Sequence, residues 1–148
     1  MRVVLIEDDP DQARKITTAL RKAFDDLEVR LIESELEFRD RVDELISPVP
    51  AVILMDVMVR KVPKGAPDDV ELALSDEDAF HQAGFRCEKL LRARSMDVPV
   101  IIYSVLDRED LTESLAKVSS RTRYIRKEYH LHPLINQIRT FLEGATRS

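Results

Sequence analysis

Glycine is scarce in this chain, with three residues among 148. A phosphate-binding loop needs several closely spaced glycines so that the backbone can approach the ligand, so we expect no glycine-rich nucleotide loop. The single cysteine, Cys87, excludes a disulfide within the chain and fits a reducing compartment. The three histidines, His81, His130 and His132, form no convincing ligand set, which argues against a zinc site.

Long hydrophobic runs are absent too. No stretch approaches the roughly 18 consecutive apolar residues that a membrane span needs. The apolar run at residues 3–6 stops at three acids, unlike a secretory signal. The formal net charge of -5 argues against broad binding to nucleic acid. We therefore expect a cytoplasmic protein with no membrane association and no direct binding to nucleic acid.

Apolar residues make up 44% of the chain, which is enough for one core at this length. They form short runs rich in β-branched residues, typical of strands buried on both faces of a parallel sheet. The predicted strands are residues 3–6, 29–32, 51–55, 98–103 and 124–125.

Amphipathic helical periodicity separates the predicted strands. Predicted helix starts lie at Asp9–Pro10, Ser34, Asp107 and Pro133, and a predicted stop lies at Gly144. Strand and helix thus alternate five times, which predicts an α/β fold with a doubly wound, five-stranded parallel sheet. Ligands of such sheets bind outside the carboxyl ends of the strands, and we look there for chemistry.

Polar side chains stand at these strand ends. The acids at residues 7–9 follow the first strand, Asp56 ends the third, Ser104 ends the fourth, and Lys127 lies near the end of the fifth. Crowded carboxylates raise each other's pKa unless a cation intervenes, and Mg²⁺ suits oxygen ligands. Lys127 and Ser104 could then hold a further anion. This edge is predicted to bind a phosphoryl group beside a metal ion.

The pattern resembles the receiver domain of response regulators, the phosphoacceptor family of bacterial two-component phosphorelay signal transduction. The matching residues are Asp8, Asp9, Asp56, Ser104, Lys127 and Tyr124, the last at the family's aromatic switch position. The resemblance covers residues 1–143 apart from one insertion. It implies a flavodoxin-like (βα)5 receiver fold, with residues 1–148 forming a single domain.

The resemblance also implies a site. Asp56 would accept a phosphoryl group from a histidine kinase or a phosphotransfer protein, forming an aspartyl phosphate. Mg²⁺ would be held by Asp8, Asp9, Asp56 and the backbone carbonyl of Met58. Slow self-catalysed loss of the phosphoryl group would follow, which is not the activity of a conventional metabolic enzyme.

A switch is implied as well. Lys127 and Ser104 would contact the phosphoryl oxygens, Ser104 would move toward the phosphate, and Tyr124 would turn inward behind it. No effector module follows the last predicted helix, so output would pass through a downstream protein target, or the chain is a fragment of a longer protein. The face of the fourth helix, fifth strand and fifth helix is the family's usual surface for partners and homodimers.

The sequence departs from the family beside Asp56. The glycine that usually follows the phosphoacceptor closely is matched by Gly84, so residues 60–82 are interpreted as an insertion between the third strand and the third helix. Arg60 stands where a proline is common. Ser75 with Asp78 could begin the third helix early. The insertion could act as a lid, bind a partner or be a surface decoration.

Two smaller departures leave a second hypothesis open. Val105 replaces a small residue, and Glu128 replaces the proline that usually follows the lysine. The alternative is a pseudo-receiver that is not phosphorylated and acts only as a protein-binding module. A metal-dependent phosphatase using the same acids is a third reading, but no obvious acid-base residue supports it.

Overall fold

The computed structural model describes residues 1–63, 65 and 82–146. Five strands form one parallel sheet in the order β2-β1-β3-β4-β5. They are β1 (Arg2–Ile6), β2 (Glu28–Ile32), β3 (Val52–Met55), β4 (Val100–Ser104) and β5 (Thr122–Arg126). This confirms the predicted five-stranded α/β fold.

The helices of the described residues lie between and after the strands. They are α1 (Pro10–Ala23), α2 (Glu35–Leu45), α3 (Ala83–Arg94), α4 (Thr112–Leu115, preceded by a 3-10 turn at Arg108–Leu111) and α5 (His132–Thr146). Among these residues, no helix has the length and hydrophobicity that crossing a membrane requires.

Two apolar clusters cover the two faces of the sheet. Because successive strand side chains alternate between faces, Val4 and Ile6 face the cluster formed with α2 and α3, whereas Val3 and Leu5 face α1 and α5. Cys87 belongs to the first cluster, and burial raises the pKa of its thiol to about 12. The sheet therefore has an apolar core on both sides.

The predicted caps of α1 and α2 are confirmed. The Asp9 carboxylate accepts the N–H groups of Asp11 and Gln12, and the Ser34 hydroxyl accepts the N–H of Glu37. Each cap satisfies donors of a first helical turn that have no partner within the helix. Both helices consequently begin directly after the strand that precedes them.

One sequence prediction about helices is wrong, and another is confirmed only in part. Gly144 does not end the last helix, because its φ is not positive and the helix continues past it. The helix expected after Asp107 is only a short turn followed by four helical residues. Leu111 is its one fully buried apolar residue, too little to stabilise a longer helix.

Part of the insertion is described. Val59 is buried in the first cluster and Val62 is buried as well, so residues 59–62 pack against the domain. The structure places Gly84 in the first turn of α3. The predicted early helix start at Ser75 and Asp78, and the residue His81, lie outside the described residues.

Candidate functional site

Parallel pairing brings the ends of β1 and β3 together. Ile6 pairs with Met55, so Glu7 and Asp56 leave the sheet side by side. The N–H of Asp56 donates to the Ile6 carbonyl at 3.1 Å. A cavity of about 460 Å³ opens here, and both carboxylates line it.

Lys127 lies between these two carboxylates. Its Nζ donates to Oδ2 of Asp56 at 2.6 Å and to Oε2 of Glu7 at 2.8 Å. The backbone N–H of Lys127 donates to the Ser104 carbonyl at 2.7 Å, which fixes the lysine to the end of β4. The predicted approach of Lys127 to Asp56 is present, whereas Glu7 was named among the acids at the strand end but was given no role.

The three charges shift one another's ionisation. Burial, followed by the negative charge of Asp56, raises the pKa of Glu7 to about 7, despite the opposing effect of Lys127. Burial alone would lower the pKa of Lys127, but the charges of Asp56 and Glu7 and the hydrogen bonds to them raise it above its usual value. One ammonium therefore does not fully compensate the two buried acids.

We expect Glu7 to make the metal-free protein less stable as the pH rises. Its pKa is 4.5 when unperturbed and about 7 in the folded state. The bound proton thus stabilises the fold fully below pH 4.5, and that contribution is lost as the pH rises through about 7. Glu7→Gln has no such proton to lose. As the pH rises from 5 to 8, the free energy of unfolding of this variant should therefore increase by roughly 1–3 kcal/mol relative to that of the wild type.

Urea denaturation in EDTA at several pH values measures this difference. Glu37→Gln controls for the loss of one charge, because Glu37 is a half-buried acid in the first turn of α2 that pairs with Arg41 and does not line the cavity. If the difference between Glu7→Gln and the wild type did not change with pH, the assignment of a raised pKa to Glu7 would be wrong.

The two acids after Glu7 have separate contacts. Oδ2 of Asp8 accepts the backbone N–H of Arg60 at 2.9 Å, and the Nε of that arginine lies 3.8 Å from the same oxygen. Asp9 lines the cavity but also accepts the N–H of Asp11 at 2.9 Å as the cap of α1. The two acids of the predicted pair thus have different partners: Asp8 contacts the segment after β3, and Asp9 caps α1.

Asp56 is held by the residues that follow it. Its Oδ1 accepts the N–H of Met58 at 3.1 Å, which fixes the carboxylate and places Met58 beside it. Gly84 packs against the same backbone, since its N–H donates to the Val57 carbonyl at 3.0 Å. A Cβ on Gly84 would lie 2.4 Å from the Asp56 carbonyl oxygen, so only glycine fits this position without a shift.

Ser104 and Tyr124 both form hydrogen bonds with the backbone of Leu106. The hydroxyl of Ser104 is buried and accepts the N–H of Leu106 at 3.1 Å, and the Tyr124 hydroxyl donates to the carbonyl of Leu106. The two predicted switch residues therefore meet at Leu106. Val105, which lies between Ser104 and Leu106 in the sequence, is at the rim of the cavity with 55% of its surface exposed.

The donor chemistry of the cavity fits a hard divalent cation. Glu7, Asp8 and Asp56 supply only oxygen, and the cations that contact them are Lys127 and Arg60. When all three acids are ionised, one negative charge is in excess. Within the described ranges, no three acidic, histidine or cysteine side chains are grouped as a metal site. Mg²⁺ typically uses one or two carboxylates and keeps several waters, so a smaller set suffices.

Comparisons with known proteins match the chain by structure and not by sequence. No protein-family model and no curated protein matches it. The receiver domain of a Francisella response regulator has a TM-score of 0.68 at 21% identity, over 97% of this chain and 98% of that chain.

Two further solved structures are similar. The BeF3-activated N-terminal receiver domain of Klebsiella pneumoniae RstA has a TM-score of 0.66 at 23% identity, over 96% of this chain and 98% of that chain. The phosphorylated cyanobacterial phytochrome response regulator RcpA has a TM-score of 0.64 at 19% identity, over 96% and 91%. At these identities the likeness concerns the fold.

Proposed function

We propose, from the premise that the chain has the fold of response-regulator receiver domains, that it is a phosphorylation switch with Asp56 as the phosphoacceptor. The observation that carries this proposal is the contact of 2.6 Å between Asp56 and Lys127 in an open cavity at the carboxyl edge of the sheet. A strand-end carboxylate beside a fixed cation is suited to attack a phosphoryl group and to hold the product.

The reaction is a phosphoryl transfer to a carboxylate. An oxygen of Asp56 forms a bond to phosphorus while the bond from phosphorus to the imidazole nitrogen of the donor breaks, and the imidazole keeps that electron pair. The donor is a histidine kinase or a phosphotransfer protein. Lys127, already within hydrogen-bond distance of Asp56, neutralises charge on the transferred oxygens. Water later hydrolyses the acyl phosphate.

Mg²⁺ is the proposed cofactor. Asp8, Asp56 and the backbone carbonyl of Met58 would hold it, with Asp9 nearby at the start of α1. When bound, the ion neutralises negative charge on the phosphoryl oxygens. The hydrogen bond from Met58 to Asp56 supports this assignment, because it keeps the main chain of Met58 beside the acceptor.

The signal would leave through Leu106. The Ser104 hydroxyl accepts the N–H of Leu106, and a turn of this hydroxyl toward a phosphoryl group on Asp56 would break that hydrogen bond. Its movement would release that residue, and with it the carbonyl to which Tyr124 is bonded. A new charge at Asp56 thus biases a small two-state element that a downstream protein, or a second copy of the chain, can recognise.

The proposal is tested by intact-protein mass spectrometry after incubation with Mg²⁺ and acetyl phosphate. We expect the wild type to gain the mass of one HPO3 unit, and we expect no gain without Mg²⁺ or in Asp56→Ala. Asp97→Ala is the matched control, because Asp97 lies before β4 and away from the cavity residues. A gain that persists in Asp56→Ala would contradict the assignment.

One observation favours the second candidate, a pseudo-receiver that binds proteins without being phosphorylated. Arg60 engages Asp8, and Lys127 is shared between Asp56 and Glu7, so the acids already have cationic partners. Such a module would bind its partner equally well with and without acetyl phosphate. An unchanged mass in the experiment above, for a folded protein with Mg²⁺ present, would support it.

A further inference from the structure

The chain after Asp56 is fixed to α2. The carbonyls of Arg60 and Lys61 accept the N–H groups of Glu35 and Leu36 at 2.9 and 2.8 Å. These N–H groups belong to the first helical turn and have no acceptor within the helix. We call residues 57–62 the strap, since they join the site to α2.

The strap is held from two other directions. Val59 and Val62 are buried in the apolar core. Glu35, whose N–H binds the strap, is itself 7% exposed and is held by Arg86 of α3 through bonds of 2.6 and 2.7 Å. The main chain at Arg60 is therefore set by the fold rather than by its own side chain.

Arg60 presents a neutral backbone N–H and a positively charged guanidinium to one oxygen of Asp8. Its N–H lies 2.9 Å from Oδ2, and its guanidinium Nε lies 3.8 Å away. A proline at this place would have neither the N–H nor the charge. These contacts therefore depend on the residue that this chain carries at position 60.

We propose that Arg60 restrains the binding of a divalent cation at Asp8, so that the site is occupied only at higher cation concentration or when the strap moves. The inference rests on the proposed function, which supplies the cation. The mechanism is competition for Oδ2 together with repulsion between the guanidinium and the cation. The Arg60 side chain is 40% exposed, so solvent screens the charge and the backbone bond carries the larger share.

Cation binding, measured without any phosphodonor, tests this. Free Mn²⁺ is counted by electron paramagnetic resonance during titration of the full chain, and Mg²⁺ is followed by calorimetry. We expect Arg60→Ala to lower Kd roughly two- to fivefold, as suits a partly exposed charge. Arg60→Pro, which also removes the N–H, should lower Kd by about tenfold. Arg60→Lys should resemble the wild type.

Arg94→Ala is the matched control for net charge. Arg94 is 38% exposed and pairs with Asp43, away from the cavity residues. Its Kd should equal that of the wild type. The proposal is overturned if Arg60→Ala and Arg60→Pro leave Kd unchanged or raise it, or if Arg94→Ala lowers Kd as much as Arg60→Ala does. If circular dichroism shows that Arg60→Pro does not fold, the comparison of Arg60→Ala with Arg60→Lys decides.

Failure of this inference and failure of the proposed function look different. If the wild type gains a phosphoryl group and all Arg60 variants bind Mn²⁺ with the same Kd as the wild type, only the inference about Arg60 is contradicted. Variants that bind Mn²⁺ more tightly but never gain a phosphoryl group support the restraint and contradict the phosphoacceptor role. If neither the wild type nor any Arg60 variant binds Mn²⁺ or Mg²⁺, both are overturned.

Discussion

Lys127→Met should abolish measurable phosphorylation of the chain and should destabilise it most at alkaline pH. The substitution removes the cation that contacts Asp56 at 2.6 Å and Glu7 at 2.8 Å. Loss of one such preorganised group typically costs about a hundredfold or more in rate. Removing one partner of a buried charge pair costs on the order of 3–5 kcal/mol.

The pH dependence identifies the cause of the instability. At pH 6 Glu7 can take up a proton, which removes one of the two uncompensated charges, so the loss in the free energy of unfolding should be smaller there than at pH 8. Urea denaturation of metal-free protein at both pH values measures this, and mass spectrometry with acetyl phosphate measures the rate.

Lys15→Met is the matched control for Lys127→Met. Lys15 lines the same cavity, and its ammonium lies over the ring of Tyr129. We expect it to change neither the rate nor the pH dependence of stability strongly. A wild-type rate of phosphorylation in Lys127→Met would show that the contact with Asp56 is not used in the reaction.

Gly84→Ala should disturb the acceptor through the backbone. The added Cβ would lie 2.4 Å from the carbonyl oxygen of Asp56 and 2.9 Å from the Cα of Val57. Neither atom can rotate away, because both belong to the main chain. Overpacking of this kind costs about 1–3 kcal/mol, and the relief of the clash must move Asp56 or the start of α3.

Gly144→Ala shows what the same change does where there is room. Nothing lies within 4 Å of a Cβ at this helical position, so alanine should stabilise α5 by about 0.5–1 kcal/mol. Gly84→Ala should therefore lower the thermal unfolding temperature and change the rate of phosphorylation. Gly144→Ala should lower neither. Equal stability of the two variants would contradict the close packing of Gly84.

Much of the site could be predicted because parallel strands share an edge. Asp56 and Lys127 are 71 residues apart, yet each follows an apolar run that reads as a buried strand. Once five strands alternate with helices, their carboxyl ends must lie together. Gly84 was singled out only by the resemblance to the family, and its close packing against Asp56 was not predicted.

The contacts of residues 7–9 could not be predicted. Three consecutive acids look alike in sequence, and their directions depend on how the chain leaves β1. Glu7 still pairs with β2 through its N–H to Ile32, so it remains part of the sheet edge. Asp9 already belongs to the cap of α1, and Asp8 points to a residue 52 positions away.

The helix expected after Asp107 is shorter than the spacing of its apolar residues predicts. Leu111, Leu115 and Val118 have helical spacing, but only the first is fully buried. The Thr112 hydroxyl donates to the carbonyls of Arg108 and Glu109, and such local bonds compete with a regular helix. Tertiary contacts, which spacing does not reveal, decided the outcome.

The most direct test of the phosphoacceptor role is the position of the modification. After incubation with acetyl phosphate and Mg²⁺, borohydride reduction converts an aspartyl phosphate to homoserine, and peptide mass spectrometry locates it. We expect homoserine at position 56, and only in samples that were incubated with Mg²⁺. Homoserine at another aspartate, or an unreduced Asp56 in protein that has gained a phosphoryl group, would contradict it.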